Sequence, residues 1–243
     1  MEDHVYRQLY ELEDGHWWFR GRRAVLWSLL RRMELPDAAR ILDAGCGTGR
    51  NLAEFGRLGT ARGVDPSPQA IAFCRSRGLA DVVEASIEEL PFEDASFDLI
   101  LATDVLEHVP RDDRALSELR RVAAAGARLL VTVPAYQWLW SQHDDSHHHL
   151  RRYTAPRLRE RLLPAGWRPA FETYFNTAML PPIAVVRTLA RRRAPRNGRT
   201  DYQLTGGALN RLLALPMRGE AALIARGARL PAGVSIGMVC EAS

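Results

Sequence analysis

A segment that could bind a nucleoside lies near the start of the chain. It reads Ile-Leu-Asp-Ala-Gly-Cys-Gly-Thr-Gly over residues 41–49, where an apolar run leads into glycines at alternate positions. Such glycines let the backbone turn tightly and approach a ligand closely. Asp65 follows Asp43 by 22 positions and ends the next predicted strand. An acid at that place can bind the hydroxyls of a ribose, so the segment predicts a nucleoside site.

The acid before the glycines indicates which nucleoside to expect. Dinucleotide-binding loops have the spacing GxGxxG and hold a pyrophosphate at a helix N-terminus. Here the spacing is GxGxG, and Asp43 would repel a pyrophosphate. A carboxylate at that position favours a ligand with a cationic amine or a sulfonium. S-adenosylmethionine (SAM) carries both groups, whereas a nicotinamide dinucleotide is disfavoured.

Several linked motifs resemble those of class I SAM-dependent methyltransferases. The resemblance covers residues 38–135 and rests on Asp-Ala-Gly-Cys-Gly-Thr-Gly at 43–49, followed in order by matches at 63–67, 90–92, 96–100 and 105–109. Residues 233–237 look like the antiparallel seventh strand of that fold. The N-terminal His-Trp-Trp-Phe-Arg-Gly-Arg-Arg at 16–23 resembles a subgroup found among natural-product and cell-surface glycan enzymes.

The resemblance implies SAM as the cofactor and assigns residues to the amino-acid and ribose parts of SAM. Asp43, Gly45 and Gly47 are implied to line the amino-acid end of SAM. Gly49 is implied to support the turn, and Asp65 to bind the ribose.

The resemblance also assigns the adenine and sulfonium ends of the site. Pro66 is implied to pack on the adenine. The family often has an aspartate for the adenine amino group where this chain has Ser86, so we expect Ser86 or the backbone at Ile87 to bind that group. The residues implied to face the sulfonium or lie just beyond it are Thr103, Asp104 and His108.

A histidine-rich loop over residues 138–153 contains four of the seven histidines. It follows the fifth predicted strand and so lies at the carboxyl edge of the sheet, where ligands of open α/β folds bind. One hypothesis makes His143 or His147 a general base, with Asp144 orienting His143 or another imidazole and with turnover falling below about pH 6 as the imidazole charges. All 33 basic residues are arginine, so no lysine competes for this role.

Two other hypotheses remain for the loop. A metal site built from His143, Asp144 and His147 matches no known ligand spacing, so no metal is expected. The loop is otherwise structural, with solvated or hydrogen-bonded histidines. Similar members of the subgroup often have an HD…H…RRY pattern here, which this chain matches without revealing the loop's role.

Aromatic residues from two segments are predicted to contact the methyl acceptor. Trp17, Trp18 and Phe19 could cover the cofactor and wall the acceptor pocket, or they could anchor a helix to the core. Trp140 and Tyr153, from the histidine-rich loop, are assigned to the same pocket.

Alternating strands and helices position these groups and predict an α/β fold. We expect a doubly wound, seven-stranded, mostly parallel Rossmann-like sheet with an antiparallel last strand and with N-terminal and late helical additions. The expected parts are a helical lid (1–37), a SAM-binding core (38–135), and a region with the substrate-side loop, accessory helices and last strands (136–243). The predicted strands are 40–44, 61–64, 81–85, 97–103, 128–133, 169–175 and 234–240.

Composition and charge limit the kinds of binding partner that we expect. The net charge of +4 is mild, and no basic face with interleaved aromatics is evident, so we expect no nucleic-acid partner. Residues 178–199 combine an apolar run with six arginines, which is compatible with a membrane-surface helix, a cap over the pocket or a dimer contact in a monomer or homodimer. No signal peptide or membrane span is evident, so a cytoplasmic location is expected.

Two functions follow from these observations. The first is a SAM-dependent methyltransferase acting on a small molecule, such as a natural-product or a glycan- or lipid-type metabolite. The alternative is a SAM-binding protein that does not methylate, either cyclase- or isomerase-like or regulatory. Both use the same cofactor motifs, so the sequence alone does not separate them.

Overall fold

A seven-stranded sheet forms the centre of the computed structural model, which describes residues 3–190 and 207–243. Its strand order is β3-β2-β1-β4-β5-β7-β6, and β7 runs antiparallel to both of its neighbours. This confirms the predicted doubly wound sheet with an antiparallel last strand. The strands are Ala39–Ala44 (β1), Gly59–Asp65 (β2), Val82–Glu84 (β3), Phe97–Thr103 (β4), Ala123–Pro134 (β5), Trp167–Phe175 (β6) and Ser235–Ala242 (β7).

Helices cover both faces of the sheet. On one face, α5 and α7 contribute to the apolar core, and on the other face α2 and α9 do so. The helices are Asp3–Leu12 (α1), Trp17–Leu30 (α2), Arg50–Phe55 (α3), Pro68–Ser76 (α4), Asp112–Val122 (α5), Gln142–Ser146 (α6), Ala155–Leu162 (α7), Leu180–Ala190 (α8) and Gly207–Ala225 (α9).

The central strand β4 is buried on both faces because most of its side chains are apolar. Leu99 and Leu101 of β4 pack against the α2 and α9 side, whereas Ile100 packs against the α5 and α7 side. All three are fully buried. This explains the uninterrupted apolar run, since a parallel strand covered by helices on both sides has no solvent-facing positions.

The strand order changes direction between β1 and β4, and this creates the crevice that holds the site. From β1 the chain proceeds to β2 and β3 on one side, while β4 and β5 lie on the other. Ligands of open α/β sheets bind at such a switch point, beyond the carboxyl ends of the strands. The glycine loop after β1 and the turn after β4 therefore meet there.

Two segments differ from the sequence prediction. The N-terminal segment is two helices: α1 ends at Leu12, and His16 caps α2 by accepting a hydrogen bond from the Trp18 N–H at 3.3 Å. The histidine-rich loop contains α6, which begins with reciprocal capping between Ser141 and Asp144.

The late arginine-rich segment is described only in part. Residues 191–199 of the segment 178–199 lie outside the described residues, and α8 is the part that the structure shows. Among the described residues, no helix has both the length and the apolar character needed to cross a membrane.

Candidate functional site

One cavity of about 1570 Å³ extends along the carboxyl edge of the parallel strands. The glycine loop after β1 lines one side of it, and the histidine-rich loop lines the other. Helices α1, α2 and α8 complete the wall. The cavity therefore brings the predicted cofactor and acceptor segments into one space.

The three loop glycines have left-handed backbone angles but different surroundings. Gly45, Gly47 and Gly49 have φ values of +80°, +53° and +81°. A Cβ on Gly45 would lie 2.5 Å from Val105, and one on Gly49 would lie 2.7 Å from Leu79. A Cβ on Gly47 would meet nothing within 4 Å. Because Gly47 also lines the cavity, its bare backbone leaves space that a ligand can use.

Asp65 ends β2 and joins the glycine loop to the wall of the cavity. Its Oδ2 accepts a hydrogen bond from the Gly47 N–H at 2.9 Å, and its Oδ1 accepts one from the Ser67 N–H at 3.0 Å. The Tyr6 hydroxyl of α1 donates to Oδ1 at 3.4 Å. Burial raises the pKa of this carboxyl, and the hydrogen bonds from Ser67 and Gly47 oppose that rise. Each carboxylate oxygen has several acceptor sites, so both can also accept from a ribose diol.

Asp43 lies under the glycine loop and does not line the cavity, which corrects its predicted place at the amino-acid end of SAM. It is 0% exposed, and neither carboxylate oxygen has a hydrogen-bond partner among the described residues. Burial raises its pKa to about 7, although the Arg22 guanidinium acts in the opposite direction. A carboxylate buried beneath the loop would attract a cationic ligand above it through its electric field and not by contact.

The side of the cavity that is predicted to hold adenine contains the predicted residues, and helix α1 forms an additional wall there. Pro66, Ser86 and Ile87 line the cavity, as expected from their positions. Helix α1 also lines it, and Glu13 after α1 accepts a hydrogen bond from the Thr48 hydroxyl in the glycine loop at 2.6 Å. This contact could not be predicted from the sequence, because α1 carries no motif of its own.

The side of the cavity that is predicted to face the sulfonium contains a buried ion pair. It joins α2 to the residue that follows β4. Arg22 Nη2 lies 2.6 Å from Asp104 Oδ2, and the Thr132 hydroxyl donates to Asp104 Oδ1 at 3.1 Å. Asp104 has a φ of +58°, and Thr103 accepts a hydrogen bond from the Asn51 amide at 3.1 Å. Thr103 and Asp104 both line the cavity, and the ion pair of Arg22 joins α2 to Asp104.

The predicted bases His143 and His147 line the cavity and lie against each other, with ring centroids 4.0 Å apart. The His147 Nδ1–H donates to the His143 carbonyl at 2.8 Å. Burial, with the neighbouring His147 and His149, holds the pKa of His143 well below its usual value of 6.5. Because this pKa is lowered, a fall in rate caused by charging of His143 is expected at a lower pH than the predicted value near 6.

Asp144 does not line the cavity, and the imidazole that it contacts is that of His149 and not that of His143. It accepts from Arg152 Nε at 2.7 Å and Nη2 at 3.0 Å, and from His149 Nδ1 at 2.8 Å. Burial alone would raise its pKa, but the hydrogen bonds from His149 and Arg152 outweigh that effect and lower it. Asp144 thus orients His149, a residue that the sequence pattern did not single out as a base.

Two further residues in the wall lie in the turn after β4. His108 was assigned to the cofactor side, and it packs edge-on against His149 with ring centroids 4.7 Å apart. Burial, followed by the charges of His149 and His147, lowers the pKa of His108 to about 3. Its neighbour Glu107 also lines the cavity and was not predicted as a site residue, although the sequence Leu-Glu-His at 106–108 placed it beside one.

Tyr153 does not contact the cavity, which corrects its assignment to the acceptor pocket. It is 1% exposed, and its hydroxyl donates to Asp112 Oδ2 at 2.9 Å. The side chain points into the core between the loop and α5, because β5 and the loop pair through Ala135 and Tyr153.

We expect Tyr153→Phe to lower the free energy of unfolding by about 1 kcal/mol, the net worth of one hydrogen bond. Asp112 keeps Arg151 as a partner at 3.2 Å, so the remaining carboxylate is not left unpaired. Denaturant unfolding measures the change, and calorimetry should show unchanged SAM affinity. A variant of unchanged stability that binds acceptor poorly would return Tyr153 to the acceptor pocket.

The cavity is also lined by the other predicted aromatics, which are Trp17, Trp18, Phe19 and Trp140. The first three also anchor α2. Trp18 and Phe19 pack edge-on with ring centroids 4.9 Å apart. The Trp17 backbone N–H donates to the Asn210 side chain of α9 at 2.9 Å. Trp140 donates its indole N–H to Asp145 at 2.9 Å. The two hypotheses for the aromatic segment are therefore compatible.

Helix α8 covers the histidine-rich side of the cavity. The residues of this segment that line the cavity are Met179, Pro182, Ile183, Val186, Arg187 and Leu189. Arg187 also donates to the Leu139 carbonyl. This placement favours the cap among the three roles considered for residues 178–199.

Comparisons with known proteins agree with this geometry. Residues 42–131 match a family model described as a methyltransferase domain. A Mycobacterium tuberculosis protein named as a probable S-adenosylmethionine-dependent methyltransferase is 31% identical over 167 residues, which is 66% of this chain and 59% of the relative. The chain thus matches about three fifths of that relative's length.

Solved structures show the same fold. A Haloferax volcanii protein in complex with the Trm112 methyltransferase activator superposes with a TM-score of 0.64 at 18% identity, covering 99% of this chain and 93% of that one. The [4+2]-cyclase SpnF superposes with a TM-score of 0.59 at 22% identity, covering 90% and 79% of the two chains. At these identities the likeness concerns the fold alone. Strand order, the glycine loop beside an acid-tipped strand, and the matches in sequence agree that residues 42–131 are similar to a methyltransferase domain of the kind that uses SAM as its cofactor.

Proposed function

We propose that this protein transfers the methyl group of SAM to a small-molecule acceptor. The observation that carries the proposal is the continuous cavity, because it joins the glycine loop and Asp65 to the histidine-rich loop. SAM is chemically activated, so the protein needs only to align an acceptor atom with the methyl carbon. The S–CH₃ bond breaks as the new bond forms, and S-adenosylhomocysteine leaves. A base then takes one proton from the acceptor.

The cofactor end of the cavity is formed by Gly47, Asp65, Pro66 and the residues at Ser86 and Ile87. Asp65 binds the ribose through its two oxygens, and Gly47 leaves room for the methionine part. Asp43 contributes a negative field from beneath the loop. In this arrangement residues 38–135 are the SAM-binding core, and residues 1–37 cover it.

The acceptor end combines apolar and imidazole surfaces. Ile183 and Val186 of α8 line it from one side, and Trp140 and His143 line it from another. A small metabolite with an apolar body and a hydroxyl or amine fits this lining, as a natural product or a glycan- or lipid-type molecule would. His143 and His147 face the acceptor, and Asp144 positions the loop from behind.

We expect His143→Ala or His147→Ala to lower turnover by about 10²- to 10⁴-fold, the usual contribution of a general base, with SAM affinity nearly unchanged. Single-turnover kinetics with the true acceptor measure the first quantity, and calorimetry measures the second. His4→Ala, on the exposed side of α1, is the matched control. If both loop variants keep full turnover, the histidines have no part in proton removal.

The test of the proposed function is direct. The protein is incubated with methyl-labelled SAM and a panel of hydroxyl- and amine-bearing metabolites, and mass spectrometry follows S-adenosylhomocysteine and the labelled product. Formation of both supports methyl transfer. An acceptor that changes while SAM persists would instead show a non-methylating enzyme, cyclase- or isomerase-like.

A further inference from the structure

One carboxylate and two imidazoles converge in the cavity wall. Glu107, His108 and His149 each offer one ligand atom, and these three atoms lie within 4.8 Å of one another. Glu107 and His108 come from the turn after β4, whereas His149 comes from the histidine-rich loop. All three residues line the cavity that holds the proposed acceptor.

Glu107 lacks the partners that a buried acid normally has. It is 1% exposed, and its Oε2 atom has no hydrogen-bond partner among the described residues. Leaving a buried carboxylate oxygen unsatisfied is costly, and a bound cation would supply the partner that this oxygen lacks. Arg22 forms its ion pair with Asp104 and not with Glu107.

His149 is held in the orientation that a metal ligand needs. Its Nδ1–H donates to Asp144 Oδ1 at 2.8 Å, which leaves Nε2 as the nitrogen with an available lone pair. Asp144 is itself fixed by two hydrogen bonds from Arg152. A carboxylate behind a ligating histidine fixes the tautomer and raises the basicity of the ligand.

From this geometry we infer that Glu107, His108 and His149 bind a divalent transition-metal ion. Two imidazole nitrogens and one carboxylate oxygen suit Zn²⁺, Mn²⁺ or Fe²⁺, whereas Mg²⁺ and Ca²⁺ prefer oxygen ligands alone. Three protein ligands leave at least one coordination position toward the cavity. The role of the ion, but not its binding, rests on the proposed function: it would hold an acceptor oxygen and lower the pKa of that hydroxyl.

This ligand set differs from the metal site considered on the sequence alone, which used His143, Asp144 and His147. Both Asp144 oxygens are bonded to Arg152, so Asp144 serves behind the site and not in it. Glu107 and His108 are adjacent in sequence, but His149 lies in a separate loop far along the chain, so no local spacing reveals the set.

The test measures metal binding on the full chain without SAM or acceptor. The purified protein is stripped with chelator and titrated with Co²⁺ and, separately, with Zn²⁺. We expect one equivalent of either ion, with visible d–d absorption for Co²⁺. Glu107→Gln and His149→Ala should each weaken binding by at least about 10- to 100-fold, the effect usual even for residues behind a site. His148→Asn, which removes an exposed imidazole from the same loop at a backbone φ of +56°, should bind as the wild type does.

Several outcomes would overturn this inference. The first is that the wild-type chain binds neither ion at micromolar concentration. The second is that Glu107→Gln and His149→Ala are folded by circular dichroism and still bind metal as the wild type does. A site lost in a His143→Ala, His147→Ala double variant but kept in Glu107→Gln would assign the metal to the loop histidines. Because no methyl transfer is measured, failure of metal binding leaves the proposed function standing, and failure of methyl transfer leaves the metal site standing.

Discussion

Replacing Gly47 by valine is expected to abolish detectable SAM binding while the protein stays folded. The Cβ of the new side chain would enter open space in the cavity, where the methionine part of SAM is proposed to lie, and would displace no protein atom within 4 Å. The φ of +53° makes any side chain there strained, at a cost of about 1–2 kcal/mol. A domain with a typical stability of about 5–15 kcal/mol tolerates that loss. Calorimetry measures SAM affinity, and thermal unfolding measures the strain.

Gly126→Val separates strain from loss of ligand space. Gly126 has a φ of +73°, a Cβ there would also meet nothing within 4 Å, and it is exposed at the start of β5, away from the cavity. Both variants should therefore be destabilised to a similar extent, but only Gly47→Val should lose SAM. If Gly47→Val binds SAM as the wild type does, the cofactor does not run against the loop. If it unfolds while Gly126→Val does not, the glycine has a structural role that the local geometry does not show.

The sequence predicted the sheet and the cofactor loop because their determinants are local. The apolar run of β4 indicates a strand buried on both faces, and the glycine spacing requires the left-handed angles that Gly45, Gly47 and Gly49 adopt. Asp65 was placed correctly at the cavity because it ends a strand, and strand ends share one edge of a parallel sheet. Each of these inferences needs only a few neighbouring residues.

The histidine-rich side could not be predicted to the same depth. Asp144 has four histidines within five positions, and only the cap at Ser141 and the Arg152 ion pair determine that it contacts His149. The aromatic character of Tyr153 is equally compatible with a pocket and a core, and its partner Asp112 lies 41 positions away.

Replacing Asp65 by alanine is expected to weaken SAM binding by about 2–4 kcal/mol, from two charge-assisted hydrogen bonds to the ribose. That loss corresponds to a Kd about 30- to 1000-fold higher. The structure adds a second reason for the loss. Asp65 accepts the Gly47 N–H at 2.9 Å and the Ser67 N–H at 3.0 Å, so the variant also releases the loop that faces the cofactor. Asp81→Ala, which removes an exposed carboxylate paired with Arg62, is the matched control.

The two contributions to the Asp65 effect can be separated with a cofactor fragment. Methionine lacks the ribose, so its binding depends on the glycine loop but not on bonds from Asp65 to the hydroxyls. If the variant binds SAM weakly and methionine normally, the ribose bonds carry the effect. If it binds both weakly, loosening of the loop contributes, and Asp65→Asn, which keeps one acceptor oxygen for a backbone N–H, should recover part of the affinity. A variant that binds SAM with wild-type affinity would remove Asp65 from the cofactor site, and with it the reason for placing the ribose at the end of β2.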